Sequence, residues 1–235
     1  RSLGGVEAAR GRAGRHALML PLALGPARPG GYELLCLGAH SDDLEIGCSG
    51  TVLRLLAELP VARVTWVVLS GDQRRAREAR AAARRVLGRR PGARLLQETF
   101  RDGFFPFQAV PIKEFFERLK REVAPDLVLT HYREDRHQDH RLVSDLTYNT
   151  FRDHLVLEYE ILKVDGDLGR PNLYVPLGEA IVRRKVAILE ACFGSQRDRR
   201  WFSEEAFRAL MRVRGVEAGS ASGYAEAFYG RKLVL

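Results

Sequence analysis

Leu34-Leu35-Cys36-Leu37-Gly38-Ala39-His40-Ser41-Asp42-Asp43-Leu44-Glu45 is the stretch that decides how the rest of the chain reads. The run 34–38 carries no charge, which is the pattern of a strand buried on both faces. One imidazole and three carboxylates then follow between His40 and Glu45. Working outward, 51–59 reads as a helix stopped by Pro60, and 61–69, dense in β-branched residues, as a second strand ended by Ser70-Gly71-Asp72. Residues 73–87 place Ala76, Ala79, Ala83 and Val86 at helical spacing. Gly88 and Pro91-Gly92 stop that helix. Residues 94–97 read as a short strand, 111–123 as a helix burying Phe115, Phe116 and Leu119, and 126–130 as another apolar strand. A polar loop spans 131–140, and 142–154 reads as the next helix.

This alternation predicts an α/β fold with a mostly parallel sheet and helices on both faces. In such sheets chemistry gathers at the carboxyl ends of the strands, and both polar loops, 39–45 and 131–140, fall there. Further on, 183–192 and 204–212 read as helices, and 224–229 as a final strand or edge segment. Residues 1–31, rich in Gly, Ala and Arg, read as an N-terminal arm. Residues 32–235 read as one domain, with no repeat and no linker.

The second loop, His131-Tyr132-Arg133-Glu134-Asp135-Arg136-His137-Gln138-Asp139-His140, holds three of the six histidines of the chain. Nitrogen and oxygen donors without thiolate suit zinc, ferrous iron or another borderline divalent ion. Two His and one carboxylate leave positions open for water and substrate, the layout of a catalytic rather than a structural site. Taken alone, a His–Asp pair at a strand end is more often a loop hydrogen bond or a helix cap. Two such clusters at two strand ends point to a cation, because carboxylates and imidazoles are costly to bury together without one.

Ala39-His40-Ser41-Asp42-Asp43, with Glu45-Ile46-Gly47-Cys48-Ser49-Gly50-Thr51 behind it, resembles the first signature of the LmbE-like, or PIG-L, deacetylases. His137-Gln138-Asp139-His140 resembles their second, HxDH. Ser195-Gln196 after a Lys-led helix, and Tyr224-Ala225-Glu226-Ala227-Phe228, resemble their C-terminal features. The likeness runs from about residue 33 to 230. It implies a Rossmann-like fold and a zinc-dependent hydrolase that removes an N-acetyl group from an amino sugar or its conjugate. It further implies His40, Asp43 and His140 as metal ligands and Asp42 as the general base that activates water. His137 becomes the group that stabilises the oxyanion or protonates the leaving amine, with Asp139 orienting it. Arg75 and Asp102 match positions that hold sugar hydroxyls. An extended segment would turn the Asp42 and Asp43 side chains apart, leaving Asp42 free to move protons. Three positions depart from the family pattern: Ser41 stands for a usual proline, Ser49 for a common glycine, and Phe193 where many relatives have His.

Bulk properties narrow the alternatives. No apolar run approaches the ~18 residues a membrane-spanning helix requires. The apolar stretch 17–25 follows arginines but is short and has no small-residue cleavage site. The chain opens on Arg1 rather than Met, which leaves room for an upstream segment. Three cysteines without a CxxC pair fit reduced thiols and a cytoplasmic protein. The net charge of +8 comes almost wholly from arginine. No basic–aromatic interleaving accompanies it, which argues against a nucleic-acid partner. The expected partner is a small amino-sugar molecule, and a homo-oligomer is compatible with the sequence. Two rival functions remain open at this stage: a metal-dependent phosphoesterase, whose sites often hold two ions, and a non-catalytic carbohydrate-binding relative.

Overall fold

The computed structural model describes residues 22–234. Most of the expected N-terminal arm and the start of the 17–25 run lie outside them. Among the described residues one sheet has seven strands: β1 (Tyr32–Gly38), β2 (Val61–Ser70), β3 (Ala93–Phe100), β4 (Leu127–His131), β5 (Leu155–Tyr159), β6 (Leu173–Pro176) and β7 (Ala225–Gly230). Their order is β3-β2-β1-β4-β5-β7-β6. Strands β1 to β5 pair in parallel, and β7 runs antiparallel to both β5 and β6. Seven helices accompany them: α1 (Asp43–Gly47), α2 (Ser49–Glu58), α3 (Gln73–Leu87), α4 (Ala109–Glu122), α5 (Gln138–Thr150), α6 (Glu179–Cys192) and α7 (Glu204–Glu217). No helix of the described residues is long and apolar enough to cross a membrane.

Alternating strand residues feed two cores. Leu34, Cys36, Val64, Trp66 and Val68 face one side, where α2, α3, α6 and α7 cover them. Leu35, Leu37, Val67 and Leu69 face the other, against Ile112, Phe115 and Phe116 of α4 and Val143 of α5. Each fully buried aliphatic or aromatic side chain contributes about 1.5–3 kcal/mol. Strand β1 lies between β2 and β4; the chain leaves β1 toward β2 but leaves β4 toward β5, in the opposite direction. The loops after β1 and β4 therefore splay apart at a topological switch point, which opens a crevice at the carboxyl ends.

The structure departs from the sequence reading at several elements. The loop 39–45 ends early, because Asp43 already opens α1. Asp42 is accordingly helical rather than extended, at φ −114° and ψ −7°. The helix expected over 142–154 begins at Gln138 and stops at Thr150, and Leu155–Tyr159 is a strand. The segment 224–229 is an interior strand, β7; the short β6 is the edge.

The first two helices pack closely for a stated reason. A Cβ at Gly47 would collide with the Tyr159 ring, and one at Gly50 would stand 2.8 Å from Glu226 Oε1. Glu226 accepts the Gly50 and Thr51 N–H groups at 2.9 and 2.6 Å, so a β7 carboxylate caps α2. Lys185 of α6 donates to Glu226 Oε1 and to Ile46 O, both at 2.6 Å. Of the C-terminal features, the 224–228 segment thus sits beneath the first motif through Glu226, while Ser195 bonds Glu78 of α3. All three cysteines are buried and unpaired.

Candidate metal centre

The short turn after β1 delivers His40 and the start of α1 delivers Asp43; the first turn of α5 delivers His140. All three side chains are buried. His40 Nδ1 lies 3.1 Å from His140 Nε2 and 3.3 Å from Asp43 Oδ2. His140 Nε2 lies 3.5 Å from Asp43 Oδ1. Donors about 2.0–2.2 Å from a tetrahedral zinc stand roughly 3.3–3.5 Å apart. The Asp43 carboxylate meets the two imidazoles through different oxygens; each separation is close to that of neighbouring donors around one such ion, and the donor chemistry fits a divalent cation. Overlapping groups with donors within 4.8 Å of one another are His40–His137–His140, Asp43–His131–His140 and His40–Asp102–His137–Asp139.

His131 sets two acceptors against each other beside the trio. Its Nε2 accepts the Ala39 N–H at 3.0 Å, so that nitrogen carries a lone pair. The same atom faces Asp43 Oδ2 at 3.1 Å, acceptor against acceptor. Its Nδ1, which then holds the proton, is buried without a partner. Burial and the neighbouring His140 push His131 down to about 4. It stacks on His140 at 3.9 Å between ring centroids and supports that ring.

Asp42 bonds none of the donor atoms of the trio. It is buried, and its Oδ1 accepts from Arg75 Nη2 at 2.7 Å. Burial raises its pKa against the pull of Arg75, and the Asp43 carboxylate adds to the rise. Asp43 shows the opposite balance. Burial would raise it, but His140, and with it His40, holds it well below the carboxylate range. Burial would lower His40 and His140, yet Asp43 carries both above the ordinary imidazole value.

Asp139 and His137 divide their contacts differently from the sequence expectation. The Asp139 carboxylate takes His40 Nε2 at 3.2 Å, Gly103 N–H at 2.7 Å and Phe105 N–H at 3.0 Å. Its link to His137 is through the main chain, with Asp139 N–H donating to His137 Nδ1 at 3.2 Å. This is an N-cap of α5, and it fixes the ring, because a neutral His137 accepting at Nδ1 holds its proton on Nε2. Burial, His140 and His40 all keep His137 below its usual pKa. The ring centroid lies 4.7 Å from those of both His40 and His140.

Arg75 and Asp102 stand at the mouth. Asp102 Oδ1 is 3.1 Å from His40 Nε2, and Arg75 Nη1 is 3.8 Å from Asp102 Oδ2. Phe193 is fully buried against Phe202. Sequence reading did not single out Asp135 or Lys163. Asp135 Oδ2 lies 2.9 Å from His140 Nδ1 and 3.1 Å from Lys163 Nζ. Asp135 sat in view within the second loop, but its spacing to His140 follows no helical or strand period; Lys163 carried no signal.

Residues 35–151 match the family model described as PIG-L: GlcNAc-PI de-N-acetylase. Solved structures with similar folds include the conserved protein TT1542 from Thermus thermophilus, at 24% identity and TM-score 0.66, covering 87% of this chain and 96% of that one. An N,N'-diacetylchitobiose deacetylase from Pyrococcus horikoshii matches at 19% identity and TM-score 0.65, covering 85% and 84%. GalB, the 4-carboxy-2-hydroxymuconate hydratase from Pseudomonas putida KT2440, matches at 19% and 0.64, covering 87% and 98%. At these identities the likeness is one of fold.

Proposed function

As a member of the PIG-L family, the chain is, we propose, a divalent-metal-dependent deacetylase that removes an N-acetyl or related acyl group from an amino sugar or sugar conjugate. The fold alone does not select this chemistry, since a hydratase shares it. The observation that carries the reading is the spacing of His40 Nδ1, His140 Nε2 and the Asp43 carboxylate, 3.1–3.5 Å apart and buried. These residues would hold zinc or ferrous iron. When bound, such an ion supplies Lewis-acid chemistry, acidifying water and polarising a carbonyl oxygen.

The chain's own residues divide the remaining work. Asp42, whose pKa burial raises, is the general base that takes a proton from the attacking water. Arg75 orients the Asp42 carboxylate through the 2.7 Å bond and opposes that rise. His137 presents Nε2–H toward the crevice. It donates a hydrogen bond to the amide oxygen as charge develops there, while the proton that Asp42 has taken from water is passed on to the departing amine. An ion held by His40 and His140 would favour the neutral form of His137 further. Asp139 orients His40 rather than His137, and ties the 103–105 segment to it. Arg75 and Asp102 meet sugar hydroxyls at the mouth. The reading includes one domain over 32–235 and a cytoplasmic enzyme.

The test is acetate release from a panel of N-acetyl sugars and sugar conjugates, with and without chelator. Chelator-sensitive release on at least one member supports the reading. Failure on every acyl amide, with hydrolysis of phosphate esters instead, refutes it.

A further inference from the structure

We propose that Asp135, backed by Lys163, is a positioning residue that sets which nitrogen His140 offers to the ion. The inference rests on the metal-centre reading above. A histidine ligand must present a lone pair, so its other nitrogen must hold the proton. His140 Nε2 faces His40 Nδ1 and Asp43, while Nδ1 faces Asp135 Oδ2 at 2.9 Å. An ionised carboxylate only accepts. Asp135 therefore keeps the proton on Nδ1 and the lone pair on Nε2.

Asp135 is itself held on several sides. Its side chain is 4% exposed. Its Oδ1 accepts the His137 N–H at 2.7 Å, and its main-chain oxygen accepts Arg141 Nη1 at 2.9 Å. Lys163 Nζ stands 3.1 Å from Oδ2 with a side chain only 9% exposed, and it also pairs with Asp167. Asp167 in turn accepts the Arg136 N–H at 2.7 Å. The segment after β5 is thus fastened to the 132–137 loop from both ends, with one ammonium beside the carboxylate that holds His140. The arrangement mirrors His40, whose Nε2 is met by Asp139.

Chelator-stripped protein is titrated with zinc alone in competition with a chromophoric chelator, and cobalt(II) is loaded in parallel for its absorption spectrum. Asp135→Asn keeps an acceptor for Nδ1–H but removes the charge. Its zinc dissociation constant is expected to rise about 10- to 100-fold, the usual effect of losing such a partner, and the cobalt bands to change shape. Lys163→Met is expected to weaken zinc in the same direction by a smaller factor, and serves if the Asp135 variant does not fold. A structural role alone would lower the thermal midpoint of the ion-free protein and leave the cobalt spectrum unchanged. Zinc affinity within about twofold of wild type in both variants, well short of such an effect, overturns the inference while the metal centre stands. Wild-type protein that binds neither ion overturns both.

Discussion

Substituting Asp42 by Asn should separate catalysis from stability. Asn keeps the shape of the side chain and an oxygen that can accept from Arg75, 2.7 Å away in the native protein. The substitution leaves His40, Asp43 and His140 in place, because Asp42 bonds none of their donor atoms. Loss of a general base costs about 10²- to 10⁴-fold, or about 3–5.5 kcal/mol of barrier at ~1.36 kcal/mol per decade. Stability should move the other way. A carboxyl whose folded pKa lies above its unfolded value is, when ionised, a burden on the folded state at neutral pH. Removing that charge offsets the weakened bond to Arg75, so the thermal midpoint of the ion-free protein should stay level or rise slightly. The assay measures acetate release under saturating substrate, bound metal by elemental analysis, and thermal unfolding of the ion-free protein. Turnover within tenfold of wild type refutes the base assignment. Activity lost together with a collapsed midpoint refutes the division between catalysis and fold.

His140→Ala should lose ion and activity together; full metal occupancy in that variant removes His140 from the ligand set. The pH dependence of ion-linked stability follows from His40 and His140, whose folded pKa values Asp43 raises against the effect of burial. A raised imidazole stabilises the ion-free protein below its unfolded pKa of about 6.5 and ceases to do so as pH climbs through the folded value. Zinc must displace those protons, so the rise in unfolding midpoint on adding zinc should grow from about pH 6 to pH 8. An increment independent of pH counts against the paired imidazoles. Lys185→Met leaves the Glu226 carboxylate buried with only the Gly50 and Thr51 N–H groups. A loss of about 3–5 kcal/mol in urea unfolding is expected, and a loss below about 1 kcal/mol would show the pair to be dispensable.

The parts of the fold legible in the sequence are those where local pattern and packing agree. The helix 73–87 and the strand beginning at Val61 appear where the spacing of Ala79, Ala83 and Val86 and the β-branched run put them. Strand β5 was hidden because no Gly or Pro separates Thr150 from Leu155, so a helix read straight through to 154. The start of α5 was hidden for the opposite reason. Gln138, Asp139 and His140 are polar, as loops usually are, yet Asp139 and His140 are buried by one another's partners rather than by apolar neighbours. For the centre itself, motif resemblance named the residues that converge. It missed Asp135 and Lys163, whose contact depends on how the chain returns after β5. It also assigned the Asp139 carboxylate to His137, a choice that turns on a side-chain direction no spacing encodes.

The antiparallel insertion of β7 between β5 and β6 has a consequence for the order in which the protein can assemble. Leu157 pairs with Gly230, and Leu173 of β6 pairs with Phe228. During synthesis β5 therefore emerges as an open edge, and β6 has no neighbour to join until the last strand arrives. The same late strand carries Glu226, which caps α2 directly behind the motif holding His40 and Asp43. The ribosome thus delivers the histidines and aspartates early and the clamp that steadies them nearly last. An ion captured by the nascent chain would meet a half-built cradle, and a strand-seeking chaperone would find its best foothold along β5 in that interval.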